Sequence, residues 1–172
     1  MLSSILEILK GSPSIDRFVE AVKSQQRVAV GGTTGSSTSI LVGILFEKVA
    51  QPLLVVCPDD AETVREDIEN IVGSESVLYF PDWEVLPYDE LSPHEAIVGQ
   101  RLKTLSELLL GQRRIVVAPI RALLRHIIPP EDLAESLIRL NLHQQVRFDE
   151  LIGELIEAGF TRVSVVEEVG TF

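Results

Sequence analysis

Residues 28–39 read VAVGGTTGSSTS, an apolar run that breaks into glycines, then hydroxyls, and leads into a helical pattern. Gripping a polyphosphate needs this layout. Glycine-freed backbone N–H groups cradle the anion, a lysine reaches the terminal phosphates and a hydroxyl holds magnesium. Laid on G-x-x-x-x-G-K-[ST], Gly32 takes the first glycine and Ser39 the final hydroxyl, with Gly35 inside the loop. Ser37 replaces the second glycine and Thr38 the lysine. Losing the lysine removes the cation that faces the phosphates, and Ser37 adds a Cβ where positive φ is needed. Gly32, Gly35, Ser37, Thr38 and Ser39 therefore read as a degenerate phosphate loop. Its scaffold is expected to persist, with a helix N-terminus that could still bind an anion weakly, and without ATP hydrolysis. The alternative is a functional P-loop nucleotide-binding enzyme with an unusual loop. A dinucleotide fold is a further reading of Gly31–Gly35, with Asp59 or Asp60 on a ribose. The loop departs from G-x-G-x-x-G, however, and helix capping explains those acids more plainly.

No other catalytic set stands out, and no catalytic or metal-binding residue is expected. After Val116-Val117, where a magnesium-binding aspartate would stand, the chain has Ala118-Pro119. His94, His126 and His143 are scattered without metal-ligand spacing. The segment FPDWEVLPYDELSPHEA, residues 80–96, is rich in proline, aromatics and acids. Such loops on a rigid sheet often carry function. Trp83 is expected to cover the sheet edge. The acids Asp82, Glu84, Asp89 and Glu90 suit a cation, a basic docking partner or, most plainly, a solvated rim.

The elements that must position these residues alternate. Strands are expected at Val28–Gly31, Pro52–Cys57, Ser76–Phe80 and Ile115–Ala118. Helices are expected at Ser39–Val49, from Pro58-Asp59-Asp60 through Ile71, and at Ile97–Leu110, on their apolar periodicity. Strands apolar on both faces in a βαβα order predict an α/β fold with a parallel sheet flanked by helices. Leu2, Ile5, Leu6 and Leu9 suggest a further surface helix. The pattern changes at Pro129-Pro130, which divides a domain of residues 1–128 from a second, incomplete α/β unit of residues 129–172. There strands are expected at Glu135–Asn141, Val146–Phe148 and Thr161–Val166. A helix Glu150–Ala158 is expected between them, capped by Asp149 and ended by Gly159.

Composition bounds the function. The 172 residues are 45% hydrophobic, enough for a core without disulfides. One cysteine, Cys57, closes an apolar strand and fits the cytoplasm. A formal charge of −11 repels a phosphate backbone, so proteins are likelier partners of this chain than nucleic acids.

Several stretches together resemble the bacterial transcription–repair coupling factor family (Mfd), whose first module resembles the excision-repair subunit UvrB. They are Gly32-Thr33-Thr34-Gly35-Ser36, Pro52–Val56, Phe80-Pro81-Asp82-Trp83-Glu84, Leu86-Pro87-Tyr88-Asp89, Ser92-Pro93-His94 and Val98-Gly99-Gln100-Arg101-Leu102. Ala158-Gly159-Phe160 and Gly170-Thr171-Phe172 fit the start of that family's second subdomain. The resemblance implies a P-loop/RecA-like, UvrB-like domain that has lost its own ATPase, and hence no cofactor here. It implies a much longer parent that uses ATP and Mg to translocate on DNA and acts on stalled RNA polymerase, through parts outside these residues. It further implies docking of UvrA by the second subdomain and intramolecular contacts with later domains. The family's docking arginine follows the A-G-aromatic motif. Arg162 is the residue available for it, some relatives carrying the base at the position of Thr161; an exposed strand residue is the plain alternative.

Overall fold

The computed structural model describes residues 7, 9, 11–25, 27–85, 93–167 and 170–172. The expected N-terminal helix lies largely outside them, as do Tyr88, Asp89 and Glu90. The elements in order are α1 (Pro13–Lys23), α2 (Ser37–Lys48), β1 (Leu53–Cys57), α3 (Ala61–Val72), β2 (Val77–Tyr79), α4 (Glu95–Leu109), β3 (Ile115–Pro119), α5 (Pro130–Ser136) and α6 (Phe148–Glu157). Short 3₁₀ turns precede β2 and follow β3.

The expected α/β architecture is present as a three-stranded parallel sheet in the order β1-β3-β2. Passing from β1 to β2 the chain crosses β3 in one direction, and it returns to β3 in the other. Crossovers of one hand must therefore lie on opposite faces. α3 packs on one face, where Phe46, Cys57, Ala61, Ile68, Val77, Ile115 and Val117 form the main core. α4 covers the other through Leu105, against Leu78, Phe80, Val116, Ala118 and Ala122. Every residue of the central strand β3 is buried, as a strand apolar on both faces must be. Fully burying a side chain such as Ile115 or Val117 stabilises by roughly 1.5–3 kcal/mol. α2 joins the same layer as α3 at Gly43, where an added Cβ would stand 2.6 Å from Ile71 Cγ2. Only a residue without a side chain permits that approach.

β1 departs from the expectation of two apolar, covered faces. Leu53, Val55 and Cys57 face the main core, but Leu54 is 57% and Val56 46% exposed. α4 reaches over β2 and β3 and leaves β1 bare, and among the described residues β1 has no neighbour on its outer edge.

Val28–Gly31 is a correction. The segment is not a strand, and Val28 and Val30 are 40% and 48% exposed. A strand is defined by its neighbour, and four apolar residues without a ladder partner have nothing to hold them extended. Residues 129–172, expected to form a second unit, differ likewise from the expected elements. Pro130 starts α5 with Glu131 and Asp132 in its first turn, favourable for a helix N-terminus. This helix takes residues 135 and 136 from the expected strand, and residues 137–147 are irregular. α6 begins at Phe148, with Arg147 rather than Asp149 at the cap. It ends as expected: Gly159 has φ +90°, with Gly159 N–H bonded to Ile156 O and Phe160 N–H to Leu155 O. The strand expected at Thr161–Val166 is a single bridge between Thr161 and Thr171.

Candidate functional site

The glycine loop enters α2 with Gly32 at φ +77° and Gly35 at φ +54°, the left-handed turns that the motif needs. Ser37 then fills the loop from inside. Its Oγ accepts a hydrogen bond from Thr34 N–H at 2.8 Å and donates to Thr34 O at 2.7 Å. Ser37 N–H also bonds to Thr34 O, at 3.3 Å. A backbone donor that would face an anion is thereby occupied by the protein. Thr38, at the lysine position, is exposed, while Ser39 is buried at 3%. A side chain turned into the core is poorly placed to hold a solvated magnesium ion. Lys48, at the far end of α2, pairs with Asp16 at 2.9 Å. Of the five expected loop residues, Gly32 and Gly35 make the left-handed turns, Ser37 bonds back to Thr34, Thr38 is exposed and Ser39 is buried.

The Phe80–Val85 segment is fastened by a residue that motif reading passes over. Arg101, 2% exposed, lies between two rings, 3.9 Å from the Phe80 centroid and 4.3 Å from that of Trp83. It also donates to Pro81 O. Trp83 therefore packs on an arginine of α4, just past the end of the edge strand β2. Burial pulls the Arg101 pKa down and nearby Arg125 adds to this, while Asp82 opposes it. Neighbouring Thr104 ties α4 to the end of β2, its hydroxyl 2.9 Å from Tyr79 O. The sequence did carry a signal for Arg101. It sits on the stripe Ile97, Arg101, Thr104, Leu105, Leu108, where a charge must be buried or the stripe interrupted.

At the carboxyl ends of the strands, where open parallel sheets bind ligands, lies a cleft of about 540 Å³. It is lined by Asp59, Tyr79, Asp82, Glu84, Arg121 and Arg125 among others. Asp82 and Glu84 of the expected acidic cluster meet here. Asp82 already serves the fold, accepting from Trp83 N–H at 2.9 Å and facing Arg121 at 3.7 Å. Burial first, then Glu62 and Glu84, push the Tyr79 phenol up, with Arg65 opposing them. Cys57, at the end of β1 as expected, has its thiol pushed up by burial and then by Asp60. His94 caps α4, its Nδ1 accepting from Ala96 N–H at 3.2 Å. Among the described residues no group of three His, Cys, Asp or Glu is placed to hold a metal. Nor is any described helix long and apolar enough to cross a membrane.

Arg162 sits far along the chain from these sites. Its neighbours Thr161 and Val163 bond to the backbone of residues 170–172, and the arginine itself is exposed.

Comparison with known proteins finds a consistent likeness along most of the chain. The chain is 31% identical over 172 residues to a transcription-repair-coupling factor of Myxococcus xanthus, covering 95% of this chain and 14% of that protein. The chain is similar to an N-terminal part of the bacterial transcription-repair-coupling factors. Its identity to the Escherichia coli (strain K12) protein of that name is 30% over 161 residues, with 93% of the chain and 14% of the relative covered. For the Bacillus subtilis (strain 168) protein it is 26% over 160 residues, with 92% and 13% covered. No family model matches. The chain thus spans about one seventh of the length of these coupling factors, 14% in the first two.

Proposed function

We propose that this chain serves as a non-catalytic protein-interaction module of a transcription-coupled DNA-repair factor. It corresponds to the UvrB-like N-terminal region of the coupling factors and recruits UvrA in nucleotide excision repair. ATP-dependent translocation on DNA and action on stalled RNA polymerase belong to other parts of such a protein, and its compartment is the cytoplasm. The observation that carries the non-catalytic reading is the Ser37 hydroxyl bonded to both backbone polar atoms of Thr34. With no lysine at Thr38, the loop is closed on itself and lacks the cation that a nucleotide requires. The kinship to the coupling factors supports the repair role, and the exposure of Arg162 supports a docking role for it.

A UvrA pull-down with the 172-residue chain and its Arg162→Ala variant tests the docking. Retention of UvrA by the chain and loss in the variant is the expected result. Equal retention by both removes Arg162 from the interface, and no retention by either removes the docking role from this chain. The second reading, a working nucleotide site, draws on the left-handed glycines 32 and 35. Calorimetry with Mg-ATP separates the two: tight binding that is lost in Ser39→Ala establishes the nucleotide site instead.

A further inference from the structure

On the α4 face of the sheet, the bare strand β1 is one part of an open groove of about 570 Å³. Its floor includes Leu54, Val116 and Phe80, α4 contributes Leu105 and Leu108, and the segment after β3 contributes Leu123 and Ile127. Leu54, Leu108, Leu123 and Ile127 are 57%, 36%, 39% and 53% exposed, so this is apolar surface left in water. The charge of the groove runs against that of the protein, although Arg125 also donates to Val85 O at 2.8 Å and borders the acidic cleft. In a chain of net charge −11, the ionisable side chains lining it are Arg125 and His126, with no carboxylate among the described lining residues. Glu107, on the neighbouring turn of α4, is paired with Arg114 at 3.0 Å.

The complementary element is α6. Phe148, Ile152, Leu155 and Ile156 recur at the spacing of one helix face. No residue of α6 is buried, and Phe148 and Ile156 are 71% and 55% exposed. Its charged residues are Asp149, Glu150, Glu154 and Glu157, without a lysine or arginine. Leu151 lines a small cavity with Leu140 and Val146 of the preceding loop. None of the residues lining the groove comes from α6, so within one chain the helix and the groove remain apart.

We propose that α6 of a second copy of this chain docks in the groove, apolar stripe inward and acids toward Arg125 and His126. This is recognition of an amphipathic helix by an apolar channel, with electrostatic complementarity at the rim. Each copy carries one groove and one helix. Contacts therefore either close reciprocally about a two-fold axis or propagate head to tail.

Sedimentation velocity over a wide concentration range tests this on the 172-residue chain, with Ile127→Glu in the groove and Ile156→Lys on the helix. The chain is expected to self-associate, less so at high salt. Each variant alone should weaken association by about tenfold or more. Mixing the two variants should restore dimers, and nothing larger, because one intact groove then meets one intact helix. Circular dichroism checks that each variant is folded; should Ile156→Lys not be, Phe148→Ser on the same stripe takes its place. A chain that stays monomeric throughout, association untouched by both substitutions, or a mixture that associates no better than its parts each overturns the proposal.

Discussion

The Ser37 hydroxyl holds Thr34 by both backbone groups, accepting from N–H at 2.8 Å and donating to C=O at 2.7 Å. This closes a three-residue span at the mouth of α2, where a phosphate loop would present that N–H to its ligand. Opening the span should separate its two roles. Ser37→Ala removes the bonds and is expected to cost about 0.5–1.5 kcal/mol in urea denaturation. Ser37→Gly combined with Thr38→Lys also frees the Thr34 donor and supplies a cation. That double variant is expected to bind pyrophosphate at least tenfold more tightly than the parent chain by calorimetry, about 1.4 kcal/mol.

Arg101 can be tested through the fluorescence of Trp83, the only tryptophan in the chain. Arg101→Ala leaves Phe80 and Trp83 without the group between them and should destabilise by about 2–4 kcal/mol. Trp83 emission is expected to shift to the red. Arg101→Lys should recover little of either effect, since an ammonium lacks the flat guanidinium that stacks on both rings.

The close approach of α2 to α3 predicts a specific intolerance. Gly43→Val places a side chain against Ile71 Cγ2, 2.6 Å from the added Cβ. A cost of about 1–3 kcal/mol is expected from overpacking. In a double-mutant cycle, Ile71→Ala should relieve part of that cost, which shows as a favourable coupling energy.

Alkaline pH should weaken the fold through Cys57 and Tyr79, whose pKa values are raised above 9.0 and 10.0 respectively by burial and neighbouring acids. Raised values mean that the folded state keeps its protons where the unfolded chain has begun to lose them. The corresponding stability is complete below the unfolded pKa values and is lost as pH rises through the folded ones. Denaturation midpoints should therefore be flat from these groups below pH 9.0 and fall above it. Cys57→Ala should remove the thiol's share of that slope while lowering stability at all pH values.

Residue pattern alone determined the layers of this protein. The runs at Leu53–Cys57 and Ile115–Pro119 and the periodic stretches around them carry their own hydrophobic instructions, and these became β1, β3 and their covering helices. Gly159 likewise ended α6 by a local backbone requirement. The missing lysine at Thr38 was legible for the same reason, because a charge is present or absent in the sequence itself. Tertiary structure decided which apolar segment was left out of the sheet. Val28–Gly31 is apolar like β2, yet it has no ladder neighbour among the described residues and stays out of the sheet. It also decided that Ser37 turns back onto Thr34, that Arg101 is enclosed by two rings, and that β1 is covered on one face only. Strand pairing, ring stacking and coverage each depend on residues distant in the chain, and no local pattern encodes where those will stand.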